Sequence, residues 1–166
     1  MGYTGRNIGE KIKVAFASRH NSYSTPLQQL FGGRKHLLKY WLTPPDLFEK
    51  LDNEFNFDFD PCPHPRPDNY NSLNLPWGHM NYCNPPFRKT DGNIHGPTAF
   101  VRKAIKEQAK GNSTVLLIPA QSYINLLLEA GAELRPAGRT RFLEVDTKEP
   151  LPGPSPTILA ILRGSK

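Results

Sequence analysis

The run Met80-Asn81-Tyr82-Cys83-Asn84-Pro85-Pro86-Phe87 opens as a half-apolar strand and then stops abruptly. Two consecutive prolines cannot donate to a sheet ladder, and the first pushes the residue before it out of the helical region. The strand therefore ends near Asn84. An amide side chain, a fixed backbone carbonyl and an aromatic ring are left together at its carboxyl end, which is where ligands bind in open α/β sheets. Upstream, Thr43-Pro44-Pro45-Asp46 reads as a helix start with Thr43 as N-cap and Asp46 in the first turn, and Leu47, Phe48 and Leu51 form one apolar face. The alternating run Phe55-Asn56-Phe57-Asp58-Phe59 reads as a strand that ends at Asp60-Pro61-Cys62. Downstream, a helix is predicted from about Thr98 to Lys110, a buried parallel strand over Thr114–Ile118, and a shorter helix over Tyr123–Ala130. Arg139–Val145 and Thr157–Leu162 read as a closing antiparallel pair joined by the proline-rich stretch Glu149–Pro156.

The cluster at the end of the central strand suits the methylation of an amine. The exocyclic nitrogen of adenine is a poor nucleophile, because its lone pair is delocalised into the ring. The Asn84 side-chain carbonyl and the Pro85 backbone carbonyl would accept hydrogen bonds from that amino group and stabilise the positive charge that develops on it. Pro86 completes the rigid turn, and Phe87 would stack on the base. A proline-rich turn with no chemistry is the plain alternative in a chain with 17 prolines.

The order of the segments resembles that of the S-adenosylmethionine-dependent N6-adenine methyltransferases of DNA, in particular the small phage-type enzymes. The residues that carry the resemblance are Trp41-Leu42-Thr43-Pro44, Asp60-Pro61, Trp77, Tyr82-Cys83-Asn84-Pro85-Pro86-Phe87, Val115 to Ala120 with its terminal Pro-Ala, and Gly138-Arg139-Thr140-Arg141-Phe142. They span residues 41 to 163. The resemblance implies that Thr43 and Pro44 meet the methyl donor's methionine carboxylate, and that Asp60 and Pro61 lie near its amino group or sulfonium. It implies a reduced Rossmann-like α/β sheet, mostly parallel with a C-terminal antiparallel hairpin. Only 24 residues separate Asp60 from Asn84, and a β-α unit with its return strand needs on the order of 30. The usual second and third strands are therefore expected to be missing, which leaves the order 1-4-5-7-6. The catalytic motif carries Asn and Phe where larger relatives carry Asp and Tyr. The loop Pro61 to Tyr70 has no glycine, and Asp68 with Asn69 is the only candidate left to bind the donor's ribose. Weak donor binding, a homo-oligomer or partner subunit, or help from the N-terminal arm would each follow from that deficit.

The net charge is +6, and the whole excess lies in residues 1 to 40, which hold seven basic side chains against Glu10 alone. Lys11, Lys13, Arg34 and Lys35 alternate there with Tyr3, Phe16, Tyr23 and Phe31. Cations interleaved with aromatic platforms suit nucleic acid, while a solubilising tail is the bland reading. The expected division is a partly ordered basic arm over 1–38 and a catalytic domain over 39–166. The loop that follows Phe87 begins with Arg88-Lys89 and is expected to contact nucleic acid, as is Arg139 on a late strand. Hydrophobic residues make up only 37% of the chain, consistent with a long arm and long loops. No apolar run approaches a membrane span of roughly 20 residues. No signal pattern is visible, so an intracellular place is expected, in cytoplasm, nucleoid or, for a viral protein, the host cell. Two cysteines argue against a disulfide scaffold, and no metal is expected from Cys62, Cys83, His64 and His79, whose spacing fits no usual ligand set. DNA is the expected substrate polymer. RNA adenosine methylation, protein glutamine methylation and a catalytically silent nucleic-acid-binding relative are the other readings, disfavoured in the glutamine case by the basic arm.

Overall fold

The computed structural model describes residues 41–66, 70–87, 95–151 and 155–165. The expected arm with Lys11, Lys13, Arg34 and Lys35 lies outside the described residues, as do Asp68, Asn69, Arg88 and Lys89. The elements, in chain order, are β1 (Trp41–Leu42), α1 (Pro45–Phe55), a single 3-10 turn (Ser72–Asn74), β2 (Met80–Cys83), α2 (Pro97–Gln108), β3 (Ser113–Pro119), α3 (Ile124–Glu129), β4 (Glu133–Thr140), β5 (Leu143–Glu144) and β6 (Ser155–Leu162). The fold is mixed α/β. Its main sheet has four strands in the order β2-β3-β6-β4, and β1 pairs with β5 in a separate two-stranded ribbon.

Side-chain alternation along the strands builds two cores, one on each face of the sheet. Tyr82, Val115, Leu117, Leu159 and Ile161 meet Phe48, Leu51 and Phe55 of α1, together with Phe57 and Phe142. Cys83, Leu116, Ile118, Ala160 and Leu162 meet Phe100, Val101 and Ala104 of α2, with Leu127 of α3. A sheet apolar on both faces needs helices on both, which is why β3 reads as an unbroken apolar run. Helix α1 starts on the proline pair and ends at Asn56, which takes the left-handed conformation at φ 53°. The Asp52 carboxylate then accepts from the Phe57 amide at 2.9 Å and turns the chain back toward the sheet. Near the end of α2, Glu107 is 1% exposed. Lys103 and Lys110 reach it at 2.8 and 2.9 Å, and the Asn112 amide donates to it at 2.9 Å.

Three expectations need correction. The Phe55–Phe59 strand shrinks to one parallel bridge, Phe59 to Asn81, because α1 runs through Phe55 and the Asp58 carboxylate takes the His79 and Met80 amides in place of a longer ladder. The sheet is not mostly parallel: β2–β3 is parallel, but β3–β6 and β4–β6 are antiparallel. Among the described residues, the crossover through α2 joins the parallel neighbours β2 and β3, and the antiparallel pairings of β6 with β3 and β4 make up the rest of the sheet. That hairpin is formed by β4 and β6, as expected, but β4 lies at Glu133–Thr140 rather than Arg139–Val145. Pro136 and Gly138 hid it. Both are tolerated because β4 is an edge strand with a register shift between them. The relative order of the strands follows the expected reduced arrangement, with the Phe59 bridge in the first place beside β2.

Candidate active site

The carboxyl end of β2 delivers Asn84 to one end of the sheet, and Pro85 and Pro86 are buried behind it. The side-chain amide of Asn84 donates to the Trp41 carbonyl at 2.8 Å and to the Thr43 hydroxyl at 3.1 Å. A carbonyl oxygen can only accept, so Trp41 dictates which end of the amide is nitrogen. Both N–H groups are thereby committed, and among the described residues no donor reaches the amide oxygen. Trp41 is held in place by the ribbon, in which it stands opposite Glu144.

Thr43 does not cap α1. The N-cap position falls on Pro44, without a side-chain bond, and the Thr43 hydroxyl instead bridges Asn84 and the hydroxyl of Tyr82. Phe87 is half-buried in an aromatic group. Its ring lies edge-on to Trp41 at 5.3 Å and to Phe142 at 5.2 Å, and Trp41 lies 5.8 Å from Phe142. Such edge-to-face pairs are favourable beyond the area they bury. Phe87 therefore forms part of a fixed wall rather than a free flap.

Asp60 is 1% exposed, and its carboxylate accepts from the Cys62 amide at 2.8 Å. Pro61 is buried beside it. The hydroxyl of Tyr70 is buried with no hydrogen-bond partner among the described residues, and burial, then the nearby Asp60 charge, pushes its pKa up. The Cys83 thiol is pushed up by burial first and by the neighbouring Cys62 thiol second. The loop carrying His64 meets the turn after β5, where the Lys148 ammonium lies 3.4 Å from the His64 ring and donates to the Val145 carbonyl. Burial lowers the pKa of Lys148, with Asp146 and Glu144 opposing.

Arg139 is exposed near the carboxyl end of β4. That is the same end of the sheet as Asn84, but β3 and β6 lie between β2 and β4, so three strand spacings put the two strands roughly 14 Å apart. Arg139 belongs to the rim. The structure thus brings Thr43, Asn84 and Phe87 together, puts Asp60 and Pro61 on the strand position beside β2, and leaves Arg139 outside. Tyr70 and Lys148 escaped the sequence reading, and Tyr82 entered it as part of the motif without a role of its own. Tyr82 carried a signal, since it sits two residues before Asn84 and so shares its face of the strand. Tyr70 and Lys148 lie in polar loops with no local pattern.

Comparison with known families adds what the geometry alone does not. No curated protein and no solved structure matches the chain. The family model described as DNA N-6-adenine-methyltransferase (Dam) matches residues 33–165, a span that takes in both the motif at Asn84 and the ribbon that orients it. That match covers most of the chain, and the chain belongs to this DNA adenine methyltransferase family.

Proposed function

We propose that the protein transfers a methyl group from S-adenosylmethionine to the exocyclic N6 of adenine in DNA, with Asn84 at the reacting centre. The observation that carries this reading is the commitment of both Asn84 N–H groups to Trp41 and Thr43. The one end of the amide left for a substrate is an acceptor, and the group to be bound is an amine that can only donate. The Asn84 oxygen, with the Pro85 carbonyl, would draw the N–H hydrogens out of the ring plane and localise the lone pair. As the nitrogen–carbon bond forms and the sulfur–carbon bond breaks, positive charge grows on the nitrogen, where fixed dipoles are most effective. The extra proton leaves the nitrogen for water afterwards, so no general base is required. Trp41 and Phe87, half-buried and backed by the buried Phe142, give an extruded base an apolar surface to rest against.

The residues around Asp60 fit the donor. S-adenosylmethionine supplies an electrophilic methyl on a sulfonium, with a cationic amino group and a carboxylate at its methionine end. A buried carboxylate at Asp60 and a buried Tyr70 hydroxyl without a partner among the described residues offer an anion and a polar contact to such a ligand. Buried polar groups without partners are uncommon, and a bound ligand would satisfy this one. The proposal is tested by transfer of labelled methyl to matched DNA and RNA oligonucleotides with nucleoside analysis. N6-methyladenine in DNA is the expected product. Label in RNA alone would reassign the polymer, and label in neither would refute the activity. Asn84→Ala should lower kcat by about 10²–10³ while donor binding persists, the usual cost of deleting one fixed transition-state contact.

A further inference from the structure

We infer that Tyr82 and Thr43 are positioning residues that hold the Asn84 amide in its working orientation, a role that rests on the function proposed above. An asparagine at this position has a problem that an aspartate would not. Its two ends are nearly equal in shape, and half a turn about the last side-chain bond would present an NH2 group to an NH2 substrate. The Trp41 carbonyl opposes that turn, since it would then face another oxygen. The Thr43 hydroxyl alone does not, because a hydroxyl accepts from nitrogen or donates to oxygen equally well.

Tyr82 is the group that can resolve that ambiguity. Its hydroxyl engages the Thr43 oxygen. Either hydroxyl of that pair can donate; when Thr43 donates to Tyr82, the Thr43 oxygen toward Asn84 is acceptor-only and refuses the turned amide, and that is the direction the relay requires. The relay is rigid. Tyr82 is fully buried, its ring lies edge-on to Phe48 at 5.0 Å, and Phe57 stands 5.3 Å away. Tyr82 and Asn84 are alternate residues running off one strand and share a face, and Thr43 stands just before α1 on that face. The core beneath α1 thus sets the direction of the amide. This gives Thr43 a different task from contacting the donor's carboxylate.

Tyr82→Phe deletes one oxygen and keeps the ring. It should lower kcat about five- to tenfold, the worth of one hydrogen bond, and leave the KM for donor and DNA within about twofold. Thr43→Val should lower kcat further, Thr43→Ser should restore it, and the Tyr82→Phe, Thr43→Val double variant should be no worse than Thr43→Val alone. A second readout needs no activity. The side-chain NH2 pair of Asn84 in nitrogen-15 NMR spectra should be sharp and slow to exchange with solvent in the wild-type protein, and should broaden and exchange faster in both single variants. Unchanged kcat with an unmoved NH2 pair in Tyr82→Phe overturns the inference. So does a rise in donor KM at constant kcat, which would return Thr43 to donor binding. If Tyr82→Phe fails to fold, Thr43→Val decides by the same two readouts. If the wild-type protein transfers no methyl, the proposed function falls, and the NMR result still decides the relay.

Discussion

At Asn84 the difference between an amide and a carboxylate becomes consequential. Either group can accept from an amine, so chemistry at the substrate side would tolerate aspartate. The protein side would not. A carboxylate oxygen placed 2.8 Å from the Trp41 carbonyl would face like charge in a half-buried setting. We expect Asn84→Asp to lose at least tenfold in kcat, on the order of 1.4 kcal/mol, and to lower the thermal midpoint slightly. Activity equal to wild type in the methyl-transfer assay would show that the Trp41 contact does not discriminate. The motif itself was readable from the sequence, because a proline doublet after a strand leaves little conformational choice. Its partners were not. Trp41 and Thr43 lie 43 and 41 residues before Asn84, and nothing local to Asn84 announces a contact made across that distance. The sequence reading put Thr43 on the helix cap because threonine before Pro-Pro is a plausible cap, and the buried Tyr82 hydroxyl outcompeted that role.

Among the elements, α2 and β3 were readable because each obeys one periodicity throughout. The Phe55–Phe59 segment was misjudged because its period of two overlaps the end of a helix, and Asn56 in the left-handed region is what separates them. Strand β4 was found late in its course because Pro136 and Gly138 look like loop residues unless the strand is known to be an edge. Helix α2 also carries the clearest titration. Burial alone would raise the Glu107 carboxyl, but hydrogen bonds from Lys103, Lys110 and Asn112 win and hold it at about 2, against an ordinary value of 4.5. A depressed carboxyl contributes stability above its unfolded value and loses it as pH falls through its folded one. The contribution, about 2 kcal/mol once the exposure of Lys110 is allowed for, should be complete above pH 4.5 and decline toward pH 2. Melting curves across that window should show Glu107→Gln less stable than wild type at neutral pH, with the gap closing as the acid limb is reached. A gap that stays constant with pH would mean that packing, not charge, is what Glu107 supplies.

For the whole molecule, the sequence shows a separation of charge that the described residues by themselves do not carry. Residues beyond 40 hold equal numbers of acidic and basic side chains, so the net positive charge of the chain lies wholly in the first 40. Removal of residues 1–38 should weaken DNA binding at low salt and flatten the fall of affinity with ionic strength, because fewer phosphate counterions are released. Titrations of fluorescent duplex at several salt concentrations would measure this, and an unchanged slope would reduce the arm to a passive tail. The family match begins at residue 33 and so overlaps only the end of that segment.

The ribbon of Trp41–Leu42 with Leu143–Glu144 has one more consequence, and it concerns time. The carbonyl that orients Asn84 is fixed by the ladder with Leu143 and Glu144, and Phe142 closes the wall beside Phe87. During synthesis Trp41, Thr43 and the motif all leave the ribosome long before Leu143 and Glu144, the residues that hold Trp41 in its ribbon. A nascent chain would therefore display every residue of the reacting centre and still lack the aim that makes it work. The frame around Asn84 is complete only when residues 41–42 meet residues 143–144.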